Sequence, residues 1–169
     1  MTRWLAPLLL IASWMISVAI LMSPEPTAGF AIPHDEIPKM ERGDDGLQRH
    51  EHTLVLGWLY GVVLIATFGG LMAWSSRARW NSLMGGLLVG CTLIVTGVFS
   101  AMCWSYQRQL VDPATVSFFG SFPASTAWQL YGMGLVPFLF VGIYVGFFRR
   151  RIVTDKTTAA FSRLNKSSR

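Results

Sequence analysis

Hydrophobic and polar positions fall along this chain in blocks, not in the short periods of a soluble helix or strand. Four apolar runs, Trp4 to Met22, Thr53 to Trp74, Leu83 to Trp104 and Ala127 to Phe148, contain no Asp, Glu, Lys, Arg or His. At ~1.5 Å per residue, runs of this length reach roughly 29–33 Å as helices, enough to cross a bilayer core of ~30 Å. A soluble domain would interleave charges along each helix to build a wet outer face, so these runs must face lipid or one another. The pattern predicts an all-α, polytopic integral membrane protein. It forms a single four-helix membrane domain over residues 1–151, followed by a basic tail over 152–169.

The polar links complete the outline. Ser23 to His52 is the longest, with prolines at 24, 26, 33 and 38 and the turn sequence Gly43-Asp44-Asp45-Gly46. It predicts extended and turn geometry and a small structure of its own, with Asp44 or Asp45 placed to cap a short helix entering the second span. Ser75 to Ser82 is short enough to make the second and third helices an antiparallel hairpin. Ser105 to Thr126 holds Asp112-Pro113, Gly120 and the adjacent Phe118 and Phe119, which suit a loop resting on the membrane or folding back over the helices. The first run exceeds the 7–15 residues of a signal peptide's apolar core, and its small-residue exits come late, so it reads as a retained helix.

Three consecutive arginines, Arg149, Arg150 and Arg151, close the last run and anchor the topology. Cationic residues flanking spans stay cytoplasmic, which puts both termini inside. Inner segments then carry Arg3, Arg77, Arg79, Arg149, Arg150, Arg151, Lys156, Arg163, Lys166 and Arg169, against Lys39, Arg42, Arg49 and Arg108 outside. Tryptophans 4, 74 and 80 fall at the inner interface and 104 and 128 at the outer one, as aromatic belts do. A multi-pass location in the cell membrane follows, with the lipid bilayer as the first partner.

Composition agrees: 52% of residues are hydrophobic and 14% charged, the profile of a membrane protein. The net charge of +5 would suggest nucleic acid in a soluble protein, but most of the surplus sits at the inner ends, where topology accounts for it. No nucleic-acid partner is expected. Cys91 and Cys103 are ~18 Å apart along one helix, too far for a disulfide, and belong to no metal or haem motif.

Candidate chemistry is sparse. With no ionisable group at depth, the chain lacks the usual equipment of an ion pump, a proton-coupled antiporter or an intramembrane hydrolase, and no span carries a haem-ligating histidine. No cofactor or catalytic residue is expected. The three histidines all lie in the first outer loop, as His34-Asp35-Glu36 and His50-Glu51-His52. Imidazole with carboxylate is a divalent-metal donor set, so His34, His50 and His52 are the metal candidates, against the plainer reading of a solvated acidic loop. The pairs Gly57 and Gly61, Gly86 and Gly90, and Gly142 and Gly146 have the four-residue spacing that lets helix backbones approach, within the bundle or with a partner. Pro137 removes the hydrogen bond to the Met133 carbonyl and should kink the last helix. Gln129, Tyr131, Thr92, Thr96 and Ser100 are polar groups able to hydrogen-bond between helices.

At the last hairpin, Gly120-Ser121-Phe122-Pro123, Trp128, Tyr131-Gly132, Pro137-Phe138 and the basic exit after Phe148 resemble the small membrane subunits that accompany some sodium/solute symporters. The resemblance covers residues 100–151 and implies a non-catalytic partner of a larger polytopic transporter. Many such subunits have two spans, so the first two helices and the acidic loop depart from that pattern. The sequence therefore predicts a small accessory or assembly subunit of a larger membrane complex. Two alternatives remain at this stage. One is a self-assembling small transporter or channel lined by Gln129, Tyr131 and the threonines, and the other a membrane enzyme using the outer-loop histidines and acids.

Overall fold

The computed structural model describes residues 4–24, 26, 32–37, 39–42, 46–76, 81–112, 114, 116–148, 158–159 and 161–163. The Arg149-Arg150-Arg151 anchor, Arg3, Arg77, Arg79, Asp44, Asp45, Lys156, Lys166 and Arg169 lie outside the described residues. The chain is mostly helical: α1 covers Leu5–Leu21, α2 Gly46–Ser75, α3 Leu83–Val111 and α4 Ala124–Ala127, which runs into a π-helical segment, Trp128–Met133, before α5, Phe138–Phe147. Two short antiparallel hairpins join the helices. Ile32–Pro33 (β1) pairs with Glu41–Arg42 (β2), and Phe118–Phe119 (β3) pairs with Phe122–Pro123 (β4).

Three helical stretches are long and apolar enough to cross a membrane: Arg49–Ser75, Leu83–Val111 and Ala124–Phe147. The first expected span is shorter. Its helix has 17 residues, reaching ~26 Å against a core of ~30 Å. The next two helices outrun their apolar runs, because a helix need not end where it leaves lipid. Helix α2 begins at Gly46 rather than at Thr53, and α3 continues past Trp104 to Val111 through Gln107, Arg108, Gln109 and Leu110, all good helix formers. The expected loop from Ser105 to Thr126 accordingly shrinks to a link holding the second hairpin.

Local chemistry explains where α3 starts and stops. The Ser82 hydroxyl accepts from the backbone N–H of Gly85 at 3.2 Å, an N-cap. At the other end Asp112, which precedes a proline, leaves the helical region with φ −139° and ψ 87°. Its Oδ1 then accepts from the Ala114 N–H at 3.2 Å. The second hairpin turns at Gly120, whose φ of 62° is the left-handed conformation that glycine adopts without penalty.

Successive helices run antiparallel. Leu5 and Leu9 of α1 lie against Gly70 near the far end of α2; Gly61 and Gly69 of α2 meet Phe99 and Thr92 of α3; Gly132 meets Val98. Among the described residues α1 packs on α2 alone, while α3 touches α2, α4, the π-helical segment and α5. Helix α3 is therefore the centre of the array. Both hairpins lie at one end, which we call the hairpin end.

The core is a seam of Met84, Leu88, Cys91 and Val95 on α3, closed by Phe140 of α5. The spacing of four, three and four residues is the knobs-into-holes stripe of packed helices. Phe140 is 2% exposed and meets Phe68 of α2 edge-to-face, with ring centroids 5.1 Å apart. The seam occupies the half of the bundle away from the hairpin end.

Candidate functional site

Among the described residues, side-chain hydrogen bonds between helices lie towards the hairpin end. The first such contact is Trp58 of α2, whose Nε1–H donates to the Ser100 hydroxyl of α3 at 3.0 Å. The second is Ser125 of α4, whose hydroxyl donates to Oε1 of Gln109 at 2.7 Å. Between these two ties the helices part into a cleft of about 650 Å³, with Gln107, Cys103 and Trp104 along α3, and Thr126 and Gln129 opposite. Leu54 and Val55 of α2 form its apolar edge. Among the described residues, none that lines it carries a formal charge at neutral pH.

Two features shape this cleft. The Arg108 guanidinium lies 5.3 Å from the centroid of the Trp104 ring, a cation–π contact that takes one face of an indole still 61% exposed. Across the cleft, the chain is π-helical over Trp128–Met133, a wider turn that is rare in helices and shifts every later side chain around the helix axis. Tyr131, in that segment, packs edge-on against Phe119 at 5.9 Å and Phe122 at 6.4 Å, so the second hairpin folds back onto the helix. These two phenylalanines contact protein, but Phe119 stays mostly exposed.

Below the π-helical turn, the helix is interrupted at Val136-Pro137 and resumes at Phe138. The Leu139 N–H bonds Val136 O and the Phe140 N–H bonds Pro137 O, both at 3.0 Å. These are tight three-residue bonds where the four-residue ladder has lost its proline donor. The break sits where Pro137 was expected to bend the helix, and it turns Phe140 towards the α3 seam.

The expected packing glycines divide. Gly61 alone among the six has a neighbour where a Cβ would lie, the Phe99 ring. Gly57, Gly86, Gly90, Gly142 and Gly146 have none within 4 Å. The close approaches that sequence spacing missed are Gly69, against Thr92 Oγ1, and Gly132, against Val98. Thr92 also turns inward on its own helix, donating to Leu88 O at 2.8 Å, so it does not bridge helices as expected. Of the other polar candidates, Ser100 does bridge, whereas the Gln129 amide faces the cleft without a hydrogen-bond partner among the described residues.

The histidines are not gathered. His34 follows β1, and its Nδ1 accepts from the Glu36 N–H at 3.2 Å, while His50 and His52 sit exposed in the first turns of α2. Among the described residues no group of three or more His, Cys, Asp or Glu is placed to hold a metal ion. Cys91 is buried in the seam, Cys103 half-buried at the cleft, and both are free thiols. Comparison with known proteins finds no matching family model, no matching curated protein and no matching solved structure.

Proposed function

We propose that this chain is a small non-catalytic accessory or assembly subunit of a larger membrane complex, with a polytopic solute transporter as the partner that the last hairpin's resemblance favours. In this reading α1 joins the three long helices as a fourth span, and both termini are cytoplasmic in the cell membrane. The distribution of basic residues around the spans supports that orientation.

The observation that carries the reading is the set of glycines left open. Gly86, Gly90 and Gly97 share one face of α3, opposite the Met84-Leu88-Cys91-Val95 seam, and none has a neighbour within 4 Å. Gly142 and Gly146 lie on the far side of α5 from Phe140 in the same way. Towards lipid alone, glycine only weakens a helix, by about 1 kcal/mol relative to alanine. Towards a second helix it permits close backbone approach, which drives association where no hydrophobic force exists between helices. The absence of ionisable side chains from the four apolar runs supports a supporting role over transport by this chain alone.

The test is purification in mild detergent through a C-terminal tag, with mass spectrometry of the intact complex. A stoichiometric polytopic partner is expected, and the double variant Gly86→Leu/Gly90→Leu should lose it while remaining folded. Recovery of this chain only with itself would sink the reading and turn attention to a self-assembling transporter or channel.

A further inference from the structure

The cleft at the hairpin end is not absorbed by an assembly role, and its lining is specific enough to state what it takes. The geometry points to a binding site for a neutral polyhydroxylated ring, a glycosyl group, held between Trp104, Gln107 and Gln129. This inference goes beyond the assembly reading and does not depend on it.

Charge is the first discriminator. Trp104, Gln107 and Gln129 are exposed side chains, so an ionised ligand would be favoured over a neutral one only by a counter-charge facing it. Among the described residues lining this cleft, none supplies one. Arg108 lines the adjoining cleft, which shares Trp104, Gln107 and Gln109, and its guanidinium is engaged with the Trp104 ring. Hydrogen-bonding capacity is the second. An amide offers both donors and an acceptor, which suits hydroxyl groups that also do both. The Ser125–Gln109 tie fixes one amide, whereas those of Gln107 and Gln129 make no hydrogen bond among the described residues and are free to engage a ligand.

Aromatic surface is the third. Trp58 spends its N–H on Ser100 and stays 40% exposed; Trp104 has one face taken by Arg108. Each leaves indole surface that the C–H face of a sugar ring can cover, since an indole combines a large apolar area with a fixed plane. Fourth is size: about 650 Å³ falls within the ~300–1,000 Å³ of ordinary small-molecule sites. The apolar edge at Leu54 and Val55 would accept the first carbons of an acyl chain, so the group can arrive as a glycolipid headgroup or as a free saccharide.

The experiment uses the purified full chain, released for native mass spectrometry from a polyoxyethylene detergent so that no glycoside competes. It is offered an equimolar mixture of phosphatidylcholine, phosphatidylglycerol and monoglucosyl diacylglycerol with matched chains. Preferential retention of the glucosyl lipid is expected, with a loss of about tenfold, equivalent to ~1.4 kcal/mol, in Gln107→Leu/Gln129→Leu. Trp104→Ala should lose retention independently, and unchanged thermal unfolding of each variant keeps the comparison valid. Displacement of the lipid by methyl glucoside would identify the free saccharide as a competent source; retention against it would identify the lipid headgroup. Equal retention of all three lipids, preference for phosphatidylglycerol, or undiminished retention by both variants would overturn the assignment.

Discussion

The two halves of α3 do different work. From Met84 to Val95 it presents one apolar seam, filled by Phe140 and bordered by Ile65 and Met72 of α2 and Ile143 and Phe147 beyond Pro137. From Ser100 to Gln109 the same helix presents amides, a hydroxyl and an indole around a cleft between α2 and α4. Between lipid-exposed helices there is no hydrophobic gain from association, so stability must come from fit, and the seam supplies it. The cleft half shares that task, since α3 also lies against α4 and the π-helical segment there. Its polar side chains are tied at two points, Trp58 to Ser100 and Ser125 to Gln109, and otherwise left available.

Substitutions can break this contrast. The largest effect should come from Phe140→Ala, which empties the seam and forfeits its packing contacts, read as a fall in unfolding midpoint in a denaturing-detergent titration. A smaller loss, about 1–3 kcal/mol, is expected for Gly132→Leu, because a side chain there drives into Val98 and must part the π-helical segment from α3. Trp58→Phe should cost least, ~0.6 kcal/mol, the average for a hydrogen bond between membrane helices. If Trp58→Phe proved as damaging as Phe140→Ala, the division into a packed half and a tied, open half would be wrong.

Much of the architecture was legible because membrane helices announce themselves by composition. The runs at Thr53, Leu83 and Ala127 each contain a helix long enough to cross a bilayer. What hydrophobicity could not mark was where those helices end, since Gln107 to Leu110 and the turns around His50 are helical for reasons of propensity and continuity. Nor does spacing identify which glycines are approached. Gly69 and Gly132 are, because Thr92 and Val98 happen to stand opposite them, a fact of tertiary register with no local signal. The cleft was half readable: Gln129 and Ser100 stood out as polar residues in apolar runs. Gln107, Gln109 and Ser125 did not, because they lay in what read as an outer loop, whereas α3 extends to carry the two glutamines and α4 carries Ser125 opposite them.

Under the proposed four-span reading, the shortness of α1 has a consequence for the membrane itself. Its neighbours α2 and α3 have 30 and 29 residues, roughly 43–45 Å of helix, long enough to cross a ~30 Å core with some tilt. A 17-residue helix has no such slack. Lying against α2 as a span, it would draw the surrounding leaflets together by a few ångströms, at a fraction of a kcal/mol for each. That local thinning would act as a sorting device. It would favour residence in thinner membranes and make the edge of the protein at α1 a preferred place for shorter-chain lipids.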